Sequence, residues 1–279
     1  MIFDFRLRPP YKSYLDTAIY NPVCNTVAPH DVNAYHTPSA HEKSMELFLK
    51  EMEEAGIEQG VIMGRATCGV PGVPNKDILQ LVKEYPGKFV PFGSVDARQG
   101  IAAALKEVRK CAEWGFKGIC VEPPYSEPAC MFDAACFYPV YALCEEMGLI
   151  LATTMSFFVG PTVDYSNPAA VQRVAADFPT LQIVVSHACY PWVPQVMNIP
   201  LTHPNVWLQP DMYILNHNCP GNQQWYDFFR WLKGNNILFG SAYPCFDLRQ
   251  AVKEVERFEL PDDIKEKYFW KNAHKLLGL

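Results

Sequence analysis

The chain opens with Ile2-Phe3-Asp4-Phe5-Arg6-Leu7-Arg8-Pro9-Pro10, in which apolar and charged residues alternate. Alternate side chains of a β-strand share a face, so this stretch predicts a strand with one apolar face and one face that carries Asp4, Arg6 and Arg8. The two prolines end the strand because they cannot donate to a ladder. An acid and two guanidinium groups at a strand end indicate the start of a site for an anionic ligand. The alternative is an edge strand with a solvated face.

Strand and helix patterns alternate behind this first strand, without a break in composition. The strands are predicted at 57–64, 89–95, 116–121, 149–153, 181–185, 206–208 and 237–240. The helices are predicted at 40–55 (with Ser39 as the alternative start), 76–84, 100–114, 134–147, 168–177, 192–201, 223–233, 247–257 and 262–277. Eight strands with their helices in 279 residues predict an α/β fold, a (β/α)8 TIM barrel that forms a single domain over residues 1–279. No glycine-rich phosphate motif follows the first strand, which disfavours a dinucleotide-binding sheet.

Residues 9–40 form a long segment that is rich in Pro, Tyr, Asn and His and has no clear period. A loop of this length in a compact domain is usually functional, so we expect a long loop after the first strand that covers the site as a lid. His30, His36 and His41 lie in this segment. We interpret them as loop residues because no helix or strand fixes their spacing.

Composition excludes several classes of function. The net charge of −6 and the absence of a basic run disfavour nucleic-acid binding, and no apolar run is long enough to cross a membrane. The N-terminus lacks the basic and apolar regions of a signal peptide. The ten cysteines are scattered singly and form no CxxC pair, so we expect free thiols in a reducing cytoplasm and no zinc–cysteine site.

Polar side chains follow most of the predicted strands, at the end where (β/α)8 enzymes place their active sites. These side chains are Arg6, Arg8, Arg65, Glu122, Thr153, Thr154, His187, Asp211, Tyr213 and Tyr243. These side chains surround one end of the barrel only if the sheet closes. Their predicted grouping at that end is the main sequence argument for an enzyme.

The three arginines suit a carboxylate or a phosphate, because a guanidinium group can donate two parallel hydrogen bonds to such an anion. The candidate anion clamp therefore consists of Arg6, Arg8 and Arg65. The alternative is a structural set of salt bridges with Asp4, Glu122 and Asp211, and both arrangements can hold together.

His187 is the candidate for proton transfer or for polarising a carbonyl group, and the alternative is a buried histidine bonded to a backbone carbonyl. Asp211 is a candidate base or a partner that orients His187, and Glu122 is a similar candidate. For both acids, pairing with an arginine is the competing interpretation.

Tyr243 is a candidate donor to an oxyanion, or it only lines the pocket. Thr153 and Tyr213 are candidate substrate-binding residues. Thr153 and Ser241 are discounted as nucleophiles because no Gly-x-Ser-x-Gly elbow surrounds them.

Four stretches together carry a family resemblance. They are 2–8, Ile183-Val-Val-Ser-His187-Ala-Cys-Tyr-Pro-Trp192, Ile237-Leu-Phe-Gly-Ser-Ala-Tyr-Pro244 and Asn272-Ala-His-Lys-Leu-Leu-Gly-Leu279. They resemble, respectively, the opening Asp-x-His-x-His, the strand-six segment with its catalytic His, the strand-eight segment and the final helix of the amidohydrolase superfamily. The likeness is to the amidohydrolase-2 branch, which includes lactonases and non-oxidative decarboxylases such as aminocarboxymuconate-semialdehyde decarboxylase.

The resemblance implies the fold and the location of the site but not the metal chemistry of the family. Members that bind metal use the two opening histidines, a His or Lys from the middle strands and the strand-eight Asp. The matching positions here hold Arg6, Arg8, Thr153, Thr154 and Ala242, and only His187 is retained. Arginine stays protonated and cannot ligate a cation, and a catalytic zinc typically takes three protein ligands.

We therefore predict no metal ion and no other cofactor. The alternative is a shifted mixed site of Glu122, Asp211 and His187, to which His217 adds a donor.

The sequence thus predicts a metal-independent, amidohydrolase-like hydrolase that acts on a small carboxylated anion, either a lactone or a related ester. The alternatives are a lyase, namely a non-oxidative decarboxylase of a small carboxylic acid, and a non-catalytic relative that binds a small molecule. We expect a cytoplasmic protein with no nucleic-acid or membrane partner. Trp225 and Trp231, interpreted as exposed aromatics, leave room for a homodimer.

Overall fold

The computed structural model describes residues 1–20, 37–66 and 71–279. Seven strands occur in these residues and form one sheet in chain order. The strands are β1 (Ile2–Leu7), β2 (Ile57–Met63), β3 (Phe89–Ser94), β4 (Gly118–Val121), β5 (Ile150–Ser156), β6 (Ile183–Tyr190) and β7 (Val206–Gln209). The α-helices are α1 (Pro38–His41), α2 (Met45–Glu54), α3 (Asn75–Glu84), α4 (Ile101–Glu113), α5 (Tyr138–Glu146), α6 (Pro168–Asp177), α7 (Val193–Val196), α8 (Ile199–Thr202), α9 (Met212–Leu215), α10 (Asn222–Leu232), α11 (Leu248–Glu256), α12 (Asp262–Glu266) and α13 (Asn272–Leu277).

The chain forms two compact units. The first unit comprises Met1–Ile62, Gln80–Val90 and Pro210–Leu279, and the second comprises Met63–Leu79 and Pro91–Gln209. That the whole chain behaves as a single domain remains a prediction.

In the first unit, β1 has the alternating character that its sequence predicts. Phe3 and Phe5 are buried, and the Phe3 ring meets the ring of His274 on α13 with a centroid distance of 5.8 Å. Asp4 and Arg6, which alternate with them, are also buried. The alternative of a strand with a solvated face is therefore wrong at these two positions, and both charged side chains must find polar partners inside the protein.

The predicted strand at 237–240 is an irregular segment rather than a regular strand. It runs beside β1, because Phe5 N donates to Phe239 O at 2.9 Å and Arg8 N donates to Tyr243 O at 3.2 Å. Ala242, between these two contacts, has a positive φ of 56°. A residue in this left-handed region turns the backbone out of the extended conformation that a ladder requires.

Three predicted helices are each divided in the structure. The one predicted at 262–277 forms α12 and α13 with a π-helical segment, Lys267–Lys271, between them. The helix predicted at 40–55 breaks at Lys43, which has a φ of 53°, and α2 then begins where Ser44 Oγ accepts from Leu47 N at 3.2 Å. The helix predicted at 192–201 forms α7 and α8 instead. Each of these short helices has a proline in its first turn, where a missing N–H removes no helical hydrogen bond.

In the second unit, β4 to β7 pair in parallel, residue by residue. Thr154 lies opposite Ser186, and Ser186 lies opposite Gln209. Paired residues of neighbouring strands project from the same face of a sheet, so these three polar side chains form one row. Strand β6 is longer than predicted and contains His187 rather than ending before it.

Residues 9–40 are described only in part, since 21–36, with His30 and His36, lie outside the described residues. The first part contains two 3₁₀ turns, Lys12–Asp16 and Ala18–Tyr20, which bury Tyr14 and Tyr20. The beginning of this segment is thus packed rather than structureless. The proposed lid remains a prediction.

The prediction that Trp225 is exposed is wrong. Trp225 is fully buried and packs against Phe228 at a centroid distance of 6.1 Å, whereas Trp231 is 63% exposed. Both lie on α10, and the helical period places them on different sides of it. None of the helices in the described part of the chain combines the length and the apolar character needed to cross a membrane.

Candidate active site

Asp4 anchors the end of β1 to the irregular segment at 237–243 in the first unit. Its Oδ1 accepts from the backbone N–H of Arg6 at 2.8 Å, and its carboxylate accepts from the N–H of Ser241 at 3.1 and 3.2 Å. Burial raises the pKa of Asp4 to about 7, while these hydrogen bonds act in the opposite direction. The sequence indicated Asp4 only as a partner for an arginine, and the structure adds its role as a backbone anchor.

Arg6 and Asp211 come together in the same unit, as the salt-bridge interpretation predicts. Arg6 Nε lies 3.8 Å from Asp211 Oδ2, and the two side chains are 3% and 0% exposed. Asp211 Oδ1 accepts from Met212 N at 2.7 Å. The carboxylate therefore contacts both a cation and the first N–H of α9.

Tyr243 belongs to a buried hydrogen-bond network that the sequence did not reveal. Its hydroxyl lies 2.6 Å from Ser39 Oγ, which in turn donates to the carboxylate of Glu51 on α2. Ser39 N also donates to Glu51 Oε1 at 3.0 Å. Burial raises the pKa of Tyr243 above its ordinary value, so this phenol stays protonated at neutral pH.

One sequence signal for this network exists in α2. Glu51 lies between Phe48 and Met52 on the buried side of that helix and is 3% exposed. An acid on an apolar helical stripe needs a polar partner. Its partner Ser39 lies on α1, and the break at Lys43 that sets α1 apart was not predicted.

Arg65 and Glu122 form a two-point ion pair in the second unit. Arg65 Nε donates to Glu122 Oε2 at 2.8 Å and Arg65 Nη2 donates to Glu122 Oε1 at 3.0 Å. The arginine side chain is 16% exposed and the glutamate 3%. The guanidinium carbon also lies 5.7 Å from the centroid of the Tyr125 ring. Both oxygens of Glu122 are thus occupied by Arg65, as the salt-bridge alternative predicts.

His187 lies on a strained part of β6. It is 8% exposed, and three consecutive residues, His187, Ala188 and Cys189, have positive φ values of 63°, 42° and 55°. Asp211 has a φ of 38° directly after Pro210, and Ala242 has a φ of 56°. Non-glycine residues in such conformations cluster at functional sites, so the strain singles out these strand ends.

The remaining substrate-binding candidates are buried. Thr153 on β5 is 0% exposed, and its Oγ1 has no hydrogen-bond partner among the described residues. Tyr213 lies on α9 and is 4% exposed, and its backbone carbonyl accepts from Asn222 Nδ2 at 3.0 Å. Arg8 is half-buried, and its backbone carbonyl accepts from the Tyr20 hydroxyl at 2.5 Å.

Two polar residues that the sequence did not single out lie in the row formed by Thr154, Ser186 and Gln209. Ser186 and Gln209 are fully buried. Within the described part of the chain, Ser186 Oγ and both polar atoms of the Gln209 amide lack a hydrogen-bond partner. Each of the two residues follows three apolar residues, in Ile183-Val-Val-Ser186 and Val206-Trp-Leu-Gln209. A polar residue after such an apolar run is the sequence pattern that could have identified them.

The described donor set does not fit a metal ion. Glu122 and Asp211, the acids of the shifted site, each contact an arginine, as described above. His217 Nδ1 lies 3.4 Å from the Arg257 guanidinium. Across residues 1–20, 37–66 and 71–279, no three or more His, Cys, Asp and Glu side chains are grouped so that they could hold a metal. No chemical step is therefore assigned to a metal.

Comparison with known proteins identifies the family and the fold. The family model described as Amidohydrolase matches residues 38–279. No curated protein matched the chain. The crystal structure of an uncharacterised TIM-barrel protein from Bordetella bronchiseptica is 34% identical, with a TM-score of 0.89 and coverage of 99% of this chain and 98% of that one. The prediction of a (β/α)8 barrel and the resemblance to the amidohydrolase-2 branch are confirmed.

More distant solved structures share the fold. A 2,6-dihydroxybenzoate decarboxylase from Rhizobium is 14% identical, with a TM-score of 0.74 and coverage of 100% of this chain and 99% of that one. A 5-carboxyvanillate decarboxylase from Novosphingobium aromaticivorans, complexed with manganese and a nitrobenzoic acid, is 15% identical, with a TM-score of 0.70 and coverage of 100% and 96%.

Proposed function

The chain belongs to the Amidohydrolase family, and from this premise we propose that it is a metal-independent hydrolase of a small carboxylated substrate, a lactone or a related ester. The observation that carries the proposal is the buried guanidinium group of Arg6 at the end of β1. Arg6 matches one of the opening histidines with which metal-binding members hold their ion. A permanent cation at that position favours an anion and repels a divalent metal.

The arginines have different tasks in this proposal. Arg6 and Arg8 bind the substrate carboxylate, because charge-assisted hydrogen bonds from guanidinium groups are strong and directional. Arg65 is the third arginine of the proposed clamp, and Glu122 fixes its orientation through two hydrogen bonds. Thr153 and Tyr213 bind neutral parts of the substrate.

His187 is the residue to which we assign proton transfer. Glu122 and Asp211 already contact arginines, so each is a weaker candidate for activating water than an imidazole on a strained strand end. His187 would take a proton from water as the water oxygen attacks the lactone carbonyl, and would return it to the leaving alkoxide. Cationic and phenolic donors, Tyr243 among them, would stabilise the oxyanion that forms between these steps.

A non-oxidative decarboxylase is the second candidate, since the solved structures from Rhizobium and Novosphingobium aromaticivorans are decarboxylases of aromatic acids. In such a reaction the carboxylate leaves as CO2. Arginines that bind this carboxylate tightly would stabilise the ground state and slow the reaction. The arginine-rich end of β1 therefore favours hydrolysis.

Product analysis separates the candidates. Purified protein, assayed before and after chelation, is incubated with carboxylated lactones, related esters, 5-carboxyvanillate and 2,6-dihydroxybenzoate. We expect ring-opened hydroxy acids without CO2, at a rate that chelation does not change, and elemental analysis without stoichiometric zinc or manganese. Release of CO2 would favour the decarboxylase. Activity that is lost to a chelator and restored by zinc or manganese would refute metal independence.

A third possibility, a protein that only binds a small molecule, is tested by the same assay. Any turnover that disappears in His187→Ala excludes it. Binding of the panel compounds without turnover would support it and would overturn the proposed hydrolase.

A further inference from the structure

A row of polar side chains crosses the second unit near the ends of β5, β6 and β7. Thr154 lies opposite Ser186, and Ser186 lies opposite Gln209. Strand β4 pairs with β5 in the same register, and Glu122 directly follows β4. The Arg65–Glu122 pair therefore stands at one end of the row, and Gln209 stands at the other.

The row projects from the face of the sheet opposite to α4. On β3, Gly93 lies against α4, because a Cβ atom at this position would lie 2.5 Å from Cys111 Sγ. The residues in register with Gly93 on the next four strands share its face, and they are Ile119, Leu151, Ile183 and Val206. Ser186 and Gln209 each lie three positions beyond the last two of these residues, so they project from the other face. In a (β/α)8 barrel that face points to the interior, and the active site lies at the ends of the strands.

Two members of the row are buried without a hydrogen bond to the described part of the chain. Ser186 and Gln209 are both 0% exposed, and Ser186 Oγ, Gln209 Oε1 and Gln209 Nε2 have no partner there. Near the start of β6 and β7 the polar groups are paired, since Trp207 Nε1 donates to Gln182 Oε1 at 2.8 Å. Folded proteins pair most of their buried polar groups, so three unpaired atoms on neighbouring strands indicate a ligand that completes them.

We propose that Ser186 and Gln209 bind a neutral polar group of the substrate, in which a hydroxyl group stands next to a second oxygen atom. The Gln209 amide presents an acceptor and a donor side by side, so it accepts from the hydroxyl group and donates to the neighbouring oxygen. Ser186 Oγ, on the adjacent strand, adds a third hydrogen bond. This inference rests on the carboxylated substrate of the proposed function and adds a second group that the protein recognises.

The charges along the row favour a neutral group at this position. Ser186 and Gln209 are uncharged, and the guanidinium group of Arg65 already donates two hydrogen bonds to Glu122. An anion beside the amide would lose its hydration without gaining a countercharge from this row. A hydroxyl group is desolvated at lower cost. A substrate that lacks it leaves the buried amide unpaired, which gives such a site its discrimination.

Calorimetry on the full-length protein tests the proposal with three probes. They are 3,4-dihydroxybenzoate, which combines a carboxylate with two adjacent hydroxyl groups, its isomer 3,5-dihydroxybenzoate, and benzoate. We expect 3,4-dihydroxybenzoate to bind roughly 5- to 100-fold more tightly than either of the others, because only its hydroxyl groups satisfy both ends of the amide. Equal affinities, or no binding of any probe, would overturn the proposal.

Variants identify the residues that recognise the hydroxyl pair. Gln209→Met should bind 3,4-dihydroxybenzoate and benzoate equally, with its affinity for benzoate unchanged, and Ser186→Ala should reduce the preference. Gln182→Met is the matched control, since this glutamine pairs with Trp207 and the variant should lose stability but retain the preference. Circular dichroism checks that each variant folds, and Gln209→Leu replaces Gln209→Met if the latter does not. A preference that survives in the Gln209 variant would overturn the assignment.

Lactone assays on the same protein keep this inference separate from the proposed reaction. A preference for 3,4-dihydroxybenzoate in a protein that hydrolyses no carboxylated lactone would refute the hydrolase and support the binding site for the hydroxyl pair. Hydrolysis of such lactones without the preference would support the hydrolase and refute this binding site.

Discussion

In the described part of the chain, each unit contains one buried arginine–carboxylate pair, and the two pairs differ in geometry. In the second unit Arg65 meets Glu122 through two hydrogen bonds of 2.8 and 3.0 Å. In the first unit Arg6 Nε lies 3.8 Å from Asp211 Oδ2, which is too long for a hydrogen bond. A two-point pair fixes the orientation of both partners, whereas a contact of 3.8 Å between single atoms imposes less direction on the guanidinium group. We therefore expect Arg65 to affect mainly stability and Arg6 to affect mainly ligand binding.

The largest effect is expected from breaking the satisfied pair. Glu122→Ala removes the carboxylate that holds Arg65 and leaves a poorly solvated cation, so we expect a loss of about 3–5 kcal/mol in the free energy of unfolding. Urea denaturation followed by circular dichroism measures this. The double variant Arg65→Met/Glu122→Leu should regain much of the loss, because it removes both charges. A single variant within about 0.5 kcal/mol of wild type would show that the pair is not structural.

The second effect concerns Asp4, whose carboxyl group has a pKa of about 7 in the folded protein, against an ordinary value of 3.8. Between these two values the folded form retains a proton that the unfolded form has lost. Stability should therefore decrease as the pH rises from about 4 to about 7, by roughly 4 kcal/mol at most. Asp4→Asn should flatten this part of the curve of unfolding free energy against pH.

Asp247 is the matched control for Asp4 because its pKa moves the other way. Burial opposes the charge of Asp247, but hydrogen bonds from Arg249 and from the N–H of Gln250 lower its pKa overall. Its contribution to stability is present above its unfolded pKa and is lost as the pH falls below about 4. Asp247→Asn should therefore leave the slope between pH 4 and 7 unchanged. An unaltered slope in Asp4→Asn would contradict the assignment to Asp4.

The third effect is on the affinity of the protein for a carboxylate ligand. Arg6→Met and Arg8→Met should each weaken the binding of a carboxylate by about 1.5–3 kcal/mol, because a charge-assisted hydrogen bond to a buried anion is lost. Calorimetry with 2,6-dihydroxybenzoate as the anionic probe measures affinity, and the melting temperature of each variant is measured beside it. Arg173→Met is the control, since Arg173 is 57% exposed and pairs with Asp133 at the surface. Unchanged affinity together with a large loss of stability would mean that the arginines are structural.

The features that follow from local period and residue type could be predicted from the sequence. The alternation in 2–8 predicted β1 with its buried apolar side chains. A strand that buries every second residue shows this pattern within a few consecutive positions, so it can be recognised from the local sequence alone. The alternation of strands and helices predicted the barrel. Arg65 and Glu122 could be proposed as partners because each follows a predicted strand.

Features that depend on tertiary contacts could not be predicted. Ser39, Glu51 and Tyr243 share one hydrogen-bond network although Ser39 and Tyr243 are 204 positions apart, and no local pattern encodes such a meeting. The helix break at Lys43 was not predicted, because residues with a positive φ are usually glycine or asparagine and a lysine gives no indication of this conformation. Trp225 and Trp231 were judged alike from composition, although the helix turns one inward and the other outward.

The smallest expected effect is a difference in the free energy of unfolding between variants of two buried amide side chains. Both amides lie in the second unit, on or beside β7. Asn205 Nδ2 contacts the carbonyls of Ala175, Phe178 and Leu181 at 3.0 to 3.3 Å, whereas the Gln209 amide has no hydrogen-bond partner among the described residues. Replacing a buried polar group by an apolar one of similar shape is destabilising when its partners remain, and neutral or stabilising when it has none.

Gln209→Met should therefore change the free energy of unfolding by less than about 1 kcal/mol, or raise it, while Asn205→Leu should lower it by about 1–3 kcal/mol because three carbonyls lose a donor. Urea denaturation of both variants in one buffer measures the difference. If Gln209→Met retains stability but loses turnover, the amide serves the substrate rather than the fold. If it is as destabilising as Asn205→Leu, the amide is satisfied in solution by bound water, and the row of Thr154, Ser186 and Gln209 is a hydrated structural feature.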